Sequence, residues 1–183
     1  MSLGPSAPQM KPVAAPVPDT PDPDPDPVSV AILHERDEDR GAVDALVMAA
    51  FGPGRFAKTA ERIREQSRLT AGFTVYEDDI LLGSVRLWSV MSGQAKGAFL
   101  GPIAVAKTNR SAGLGGHLVR RCIEEARAQG LDGILLIGDP PYFERFGFQP
   151  APKSVFPGPV NPRRVMWLPF TGVSPEGAVV PVA

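Results

Sequence analysis

The chain has 183 residues, of which 43% are hydrophobic and 21% are charged, and its net charge is −1. This length and composition are typical of one ordinary globular domain and exclude a collagen-like or largely disordered chain. The near-neutral charge argues against a nucleic-acid surface, which would show clustered Lys and Arg. No apolar run approaches the ~20 residues of a membrane-spanning helix, and no secretory signal is recognisable. We therefore expect a cytoplasmic protein without nucleic-acid or membrane partners.

Residues 1–27 are predicted to form a disordered, proline-rich tail. They contain four Asp and one Lys and end in alternating Asp and Pro at 22–27. Each Pro fixes its own φ and restricts the residue before it, and the segment has too few apolar side chains to build a core. A plain linker and a ligand for a proline-recognition module both fit this composition. The globular pattern spans 28–170, and 171–183 is predicted to be a C-terminal tail.

A strand and two helices are predicted after the proline-rich tail. Apolar residues alternate over 28–32, as in a half-buried strand. Asp37 or Asp39 can cap a first helix, which Gly52 ends. The apolar residues of this helix recur at helical spacing: Ala42, Val43, Leu46, Val47 and Ala50. The range 56–69 repeats the helical pattern. The residues expected to face inward there are Phe56, Ala60, Ile63 and Leu69.

The next segments alternate like the strands of an antiparallel meander. The ranges 72–77 and 80–91 are joined by the acidic turn 77–79, which suits a hairpin. A second turn around Gly93 leads into a third strand at 98–105. The sequence therefore predicts three consecutive antiparallel strands.

A helix and two further strands complete the predicted domain. The helix covers 113–129, and its apolar face includes the single cysteine, Cys122. The apolar run 134–137 is typical of a strand covered on both faces. Because strand, helix, strand connections are right-handed in nearly all cases, we expect this strand to lie parallel to 98–105. A last strand near 165–168 would offer an edge for a second copy of the chain, giving a homodimer.

A glycine-bearing loop at 110–116 connects a predicted strand to a helix. The first N–H groups of a helix lack partners, and the helix dipole places positive charge there, so an anionic phosphate fits this position. A glycine-rich helix entry without a ligand is the alternative. The pattern GxxxxGK[ST] fails because Ala106 replaces its second glycine, and GxGxxG fails because His117 and Leu118 follow Gly116.

Four motifs occur in order along the chain: Gly101-Pro102-Ile103-Ala104-Val105, Arg110-x-x-Gly113-x-Gly115-Gly116, Ile134-Leu135-Leu136-Ile137-Gly138-Asp139-Pro140 and Tyr142-Phe143-Glu144-Arg145-Phe146-Gly147-Phe148. Together they resemble the GNAT superfamily of N-acetyltransferases, and most closely its subgroup of predicted small enzymes with an Arg-Phe-Gly-Phe ending. The resemblance covers about residues 30–150. It implies an α+β fold, a mixed α/β sandwich with helices on both faces of a splayed sheet. Acetyl-CoA, the co-substrate, would lie between 98–105 and 134–137, and no metal is expected.

The resemblance also assigns residues to the cofactor. The implied contacts are Ile103, Ala104, Val105, Arg110, Ser111, Ala112, Gly113, Leu114, Gly115, Gly116 and Asp139. The main chain of 103–105 would bond the pantetheine arm, and N–H groups of 111–116 would hold the pyrophosphate. Arg110 would contact phosphate or brace the turn. Asp139 would bond pantetheine or cap the following short helix.

Catalysis requires a neutral amine, a donor for the developing oxyanion and a proton for the departing thiolate. The tyrosine that many relatives use as the acid falls on Phe143, which has no proton to donate. Tyr142 is therefore the candidate catalytic acid, with packing or substrate contact as its alternatives. No general base is evident. The side chains that border the acceptor side in relatives, or could line it, are Glu35, Glu61, Glu65, Arg86 and Trp88.

The resemblance thus implies transfer of an acetyl group from acetyl-CoA to a primary amine of an unidentified acceptor, by direct attack in a ternary complex. Phe143 keeps open a second function, a non-catalytic acyl-CoA sensor or regulatory module. The third possible function is that of a structural or partner-binding protein that uses its proline-rich tail as a ligand. It predicts no CoA binding.

Overall fold

The computed structural model describes residues 31–107 and 113–183. The proline-rich tail, the start of the first predicted strand, and Arg110, Ser111 and Ala112 lie outside the described residues. The strands are β1 (Ile32–His34), β2 (Leu69–Glu77), β3 (Ile80–Ser92), β4 (Ala95–Val105), β5 (Gly133–Ile137), β6 (Gln149–Pro150), β7 (Ser154–Val155), β8 (Val165–Pro169) and β9 (Gly177–Pro181). The helices are α1 (Arg40–Phe51), α2 (Thr59–Gln66), α3 (Leu114–Ala128) and α4 (Pro140–Phe143).

The strands form one mixed sheet in the order β1-β2-β3-β4-β5-β8-β6, with β9 paired to β3 and β7. The predicted meander is confirmed, since β2, β3 and β4 pair antiparallel. Asp78 and Asp79 have φ values of 47° and 66°, the conformation that a two-residue type I′ hairpin requires at both positions. The predicted parallel pairing is also confirmed, between β4 and β5.

Helices cover both faces of the sheet because successive side chains of a strand point to opposite sides. Ala98 and Leu100 of β4 belong to the core under α3, whereas Phe99 belongs to the cluster that contains Ile63 of α2. On the α2 side, Ala104 packs with residues of α1. The predicted α+β fold class, a mixed α/β sandwich, is therefore confirmed. No helix in the described part of the chain is long and apolar enough to cross a membrane.

The second predicted helix is shorter than expected. Residues Pro53–Ala57 form a 3₁₀ turn, and the extended backbone of Lys58 and Ser67 bounds α2 on either side. Phe56 is consequently 52% exposed, and Leu69, at the start of β2, is 37% exposed. Both were expected to face inward, and both expectations are wrong because these residues are not on the helix.

The C-terminal segment also differs from the prediction. Residues 171–183, expected to be a tail, include β9, which pairs with β3 at Val90, Met91 and Ser92. The strand near 165–168 was expected to have a free edge. Instead, β8 pairs with β5 on one side and β6 on the other. The edge proposed for a homodimer is therefore occupied within the chain.

Candidate active site

A cleft opens where β4 and β5 separate. The two strands pair at three positions, the last of them Phe99 with Leu135. Beyond it, β4 bulges: the β3–β4 register shifts between Val85 and Leu87, and Gly101 takes a φ of 122°. The resulting cleft has a volume of about 780 Å³, within the range of small-molecule sites.

The lining comes from five parts of the fold: the α1–α2 region, the distal half of β4, the start of α3, the segment from β5 to the turn after α4, and the turn before β8. The lining residues that carry the argument below are Arg55, Lys58, Arg64, Gly101, Ile103, Val105, Gly113, Gly115, Gly116, Asp139, Tyr142, Phe143 and Arg145. Six of the eleven predicted cofactor residues line this cleft with the candidate acid, Tyr142: Ile103, Val105, Gly113, Gly115, Gly116 and Asp139. Cations that the sequence analysis did not single out line it as well.

One end of the cleft is formed by the N-terminus of α3. Gly113 has a left-handed φ of 70°, and its carbonyl accepts hydrogen bonds from Gly116 N (2.8 Å) and His117 N (3.3 Å). The N–H groups of Leu114 and Gly115 have no partner within 31–107 and 113–183. Helix N–H groups without partners, at the positive end of the dipole, are a ready site for an anion.

The segment after β5 packs directly on this first turn of α3, and glycine makes the approach possible. A Cβ at Gly115 would lie 2.9 Å from the Tyr142 hydroxyl, and one at Gly116 would lie 3.3 Å from an Arg145 guanidinium nitrogen. Arg145 also lies over the Tyr142 ring, 4.3 Å from its centroid. This places a cation beside the end of the cleft where a phosphate would bind.

Two predicted cofactor residues point away from the cleft. Ala104 is buried beneath α1, and Leu114 is buried in the core against Gly83. Only their main-chain groups can face a ligand, whereas the side chains of Ile103 and Val105 line the cleft.

Asp139 lines the cleft as an exposed residue at the N-cap of α4. Its side chain makes no capping hydrogen bond, and instead its main-chain carbonyl accepts from Tyr142 N and Phe143 N, each at 3.1 Å. The expectation of a side-chain cap is therefore wrong. The carboxylate of Asp139 is left facing the cleft.

Tyr142 and Phe143 are neighbours in sequence with different environments. The Phe143 ring lies so close to Gly138 that a Cβ there would overlap it, and its edge meets Phe148. Tyr142 is half-buried and carries the one hydroxyl among the described side chains that line the cleft. That hydroxyl lies at the α3 end of the cleft, against Gly115.

The acidic residues considered as bases are engaged elsewhere. The side chain of Glu35 is 6% exposed and accepts hydrogen bonds from Arg86, which also bonds Asp44 at 3.0 Å. Arg86 thus joins Glu35 and the exposed side chain of Asp44 in one ion-pair network and is not among the described cleft-lining residues. Glu65 is exposed and outside the cleft lining.

Glu61 is buried outside the described cleft lining, and both of its carboxylate oxygens are occupied. Its Oε1 accepts from Arg55 at 2.6 Å, and its Oε2 accepts from Arg64 at 3.1 Å.

Trp88 supports the shape of the cleft, because its Nε1 donates to the Gly101 carbonyl at 2.7 Å and fixes the bulge of β4. The described residues contain no group of three or more His, Cys, Asp or Glu that could hold a metal ion.

Known proteins share this architecture. The uncharacterised N-acetyltransferase YhbS of Escherichia coli K12 is 28% identical over 116 residues, which cover 62% of this chain and 70% of YhbS. The crystal structure of YhbS in complex with CoA superposes with a TM-score of 0.69 at 25% identity, covering 84% of this chain and 89% of YhbS. A GNAT family acetyltransferase from Brucella melitensis, in complex with acetyl-CoA, gives a TM-score of 0.66 at 27% identity, covering 84% of this chain and 96% of that protein. The profile of the acetyltransferase (GNAT) family matches residues 42–148, more than half of the sequence, so the chain belongs to this family.

Proposed function

We propose that the protein transfers an acetyl group from acetyl-CoA to a primary amine of an unidentified acceptor, by direct attack in a ternary complex. The observation that carries this proposal is the single cleft that joins the splayed edge of β4 to the N-terminus of α3. A strand edge suits the amide groups of pantetheine, and a helix N-terminus suits a pyrophosphate. The two relatives crystallised with acetyl-CoA and CoA support the same ligand here.

The cofactor would extend along the cleft from α3 towards the bulge of β4. The pyrophosphate would bind at the helix entry formed by the left-handed Gly113, beside Gly115 and Gly116. Arg145, which packs on Gly116, adds a positive charge there. The main chain of 103–105 would bond the pantetheine arm. Contacts from Arg110, Ser111 and Ala112 stay predictions of the resemblance, and no protein metal ligand is needed for this arrangement.

The chemistry requires little from acidic side chains. An acceptor α-amine with a pKa of about 8 is appreciably neutral at pH 7 and can attack the thioester carbonyl without a strong base. Asp139 is the one carboxylate among the described cleft-lining residues, and it is exposed to solvent. Tyr142 stays the proposed acid because, among the described cleft-lining side chains, it alone carries a hydroxyl. That hydroxyl lies against Gly115, at the α3 end of the cleft, so contact with the bound substrate there is its alternative role.

Initial-rate kinetics with both substrates varied test the mechanism. CoA release is measured with a thiol reagent while a panel of primary amines and acetyl-CoA are varied. Direct attack in a ternary complex predicts intersecting double-reciprocal lines. Parallel lines would indicate an acetylated enzyme and contradict the proposal.

A sensor or regulatory module is the second candidate function, because Phe143 occupies the position of the family's usual acid. It predicts acetyl-CoA binding without acetylation of any amine in the same panel. Cytoplasmic location and a homodimer also stay predictions of the sequence. Cell fractionation and light scattering of the purified protein would check them.

A further inference from the structure

The wall of the cleft built by α2 and the turn before it is basic. Arg55, Lys58 and Arg64 all line it, and Glu61 supplies the one carboxylate of this group. Three cations against one anion leave a surplus of positive charge. This group, called the basic wall below, belongs to α2 and the segment just before it. It is separate from Arg145, which follows α4 and packs on the first turn of α3.

Arg64 is the most enclosed member of the basic wall. Its side chain is 14% exposed, and its Nε is buried without a hydrogen-bond partner among the described residues. Burial lowers the pKa of Arg64 to about 10, and attraction by Glu61 opposes that shift. The guanidinium is therefore charged at neutral pH, removed from water, and only partly compensated by Glu61. Such a group gains from a bound anion.

The basic wall lies near the middle of β4, whereas the phosphates are expected beyond Val105, the last residue of the strand. A Cβ at Gly101 would lie 3.0 Å from Arg64 Nη2, and the Arg64 guanidinium lies over the Phe99 ring, 5.3 Å from its centroid. Phe99 is the last β4 residue paired with β5. A cofactor arm that runs from α3 past Val105 and Ile103 therefore reaches its thioester end beside Arg64.

We propose that the amine acceptor carries an anionic group, a carboxylate or a phosphate, and that the basic wall binds it. This inference rests on the proposed function, because it takes the Gly101 end of the cleft to be the acyl end. The planar guanidinium of Arg64 can donate to two oxygens of such a group, and Lys58 at the exposed rim attracts it. Glu61 holds Arg55 and Arg64 in place without neutralising both.

The test compares pairs of amines that differ in the anionic group. Phosphoethanolamine is compared with ethanolamine, and β-alanine with its amide, for wild type, Arg64→Gln, Lys58→Gln and Arg62→Gln. Arg62 is the matched control, exposed on the same helix and outside the cleft lining. Lys58→Gln guards against a folding defect of Arg64→Gln, because Lys58 is exposed.

We expect wild type to favour at least one anionic amine by about tenfold or more in kcat/KM, the factor that a hydrogen bond to a charged group supplies. Arg64→Gln and Lys58→Gln should reduce that preference by raising the KM of the acceptor, while the KM of acetyl-CoA stays unchanged. Arg62→Gln should behave as wild type. Equal use of charged and uncharged amines would overturn the proposal, as would a rise in the KM of acetyl-CoA instead.

A binding measurement separates this inference from the proposed function. Wild type saturated with CoA is titrated with phosphoethanolamine and with β-alanine by calorimetry. Binding that Arg64→Gln weakens supports the basic wall as the anion site even without turnover. Binding of neither probe to the CoA complex overturns it, whereas failure to bind CoA at all would contradict the proposed function.

Discussion

Replacing Glu61 with Gln is expected to destabilise the fold, because Glu61 accepts hydrogen bonds from two guanidinium groups in the wall of the cleft. The Arg55 contact is 2.6 Å and the Arg64 contact 3.1 Å, and all three side chains are at most 14% exposed. A hydrogen bond to a charged group contributes about 1.5–3 kcal/mol, and removing one partner of a buried ion pair typically costs about 3–5 kcal/mol. We expect a loss of about 3 kcal/mol for Glu61→Gln.

Urea unfolding followed by circular dichroism measures this loss at neutral pH. Glu65→Gln is the matched control, since Glu65 is exposed on the same helix and surface substitutions usually change stability by less than about 0.5 kcal/mol. Because Glu61→Gln leaves two buried cations near each other, adding Arg64→Gln should recover part of the loss. A loss for Glu61→Gln no larger than that of the control would refute the reasoning.

Three further predictions concern single groups. Tyr142→Phe should lower kcat by about 10²-fold with little change in acetyl-CoA affinity; a raised KM for acetyl-CoA at unchanged kcat would show that Tyr142 contacts the cofactor instead. Hydrogen bonds from Arg36 lower the pKa of Asp39 to about 2. Since this folded-state pKa is below the unfolded value, the stabilisation is present above about pH 4 and is lost as the pH falls towards 2. Asp39→Asn should therefore flatten the fall of the unfolding midpoint in this range, and an unchanged acid profile would contradict the assignment. Burial raises the pKa of the Cys122 thiol, so a thiol reagent should label it only on unfolding; labelling at the rate of a free peptide thiol would show that the core under α3 opens.

The phosphate end of the site could be predicted from the sequence because its signals are local. The helix expected at 113–129 is observed as α3 (Leu114–Ala128). Its apolar spacing and Gly130, which ends it with a φ of 67°, are signals within the segment itself. The strand at 134–137 is likewise β5. Glycines at a junction between a strand and a helix indicate an anion site from the local sequence alone, whatever distant segments pack against the junction.

The basic wall could not be predicted, because it depends on how α2 packs. Glu61 and Arg64 are three residues apart on a helix, which in sequence is typical of a solvated surface pair. Only the docking of α2 beside Gly101 places Arg64 in the cleft lining, with Glu61 as its buried partner. Glu35 was expected to border the acceptor side. Its ion pair could not be predicted, because its partner, Arg86, lies 51 residues away in sequence.

Strand β9 was missed for the same physical reason. Its residues Ala178–Val180 are a short apolar run, and the run becomes a strand through pairing with β3, about 90 residues earlier in the chain. Local propensity carries no information about such a partner.

Calorimetric titration with acetyl-CoA and CoA tests the central claim most directly. Wild type is compared with Gly113→Val/Gly115→Val and with Gly172→Val. Val at Gly113 must adopt a left-handed φ of 70°, and Val at Gly115 meets the Tyr142 hydroxyl, whereas a Cβ at Gly172 meets nothing within 4 Å. We predict micromolar binding by wild type and by Gly172→Val, and its loss in the double variant with an unchanged circular dichroism spectrum. No binding by wild type would contradict both the acetyltransferase and the sensor; binding unchanged in the folded double variant would show that the cofactor does not use the N-terminus of α3.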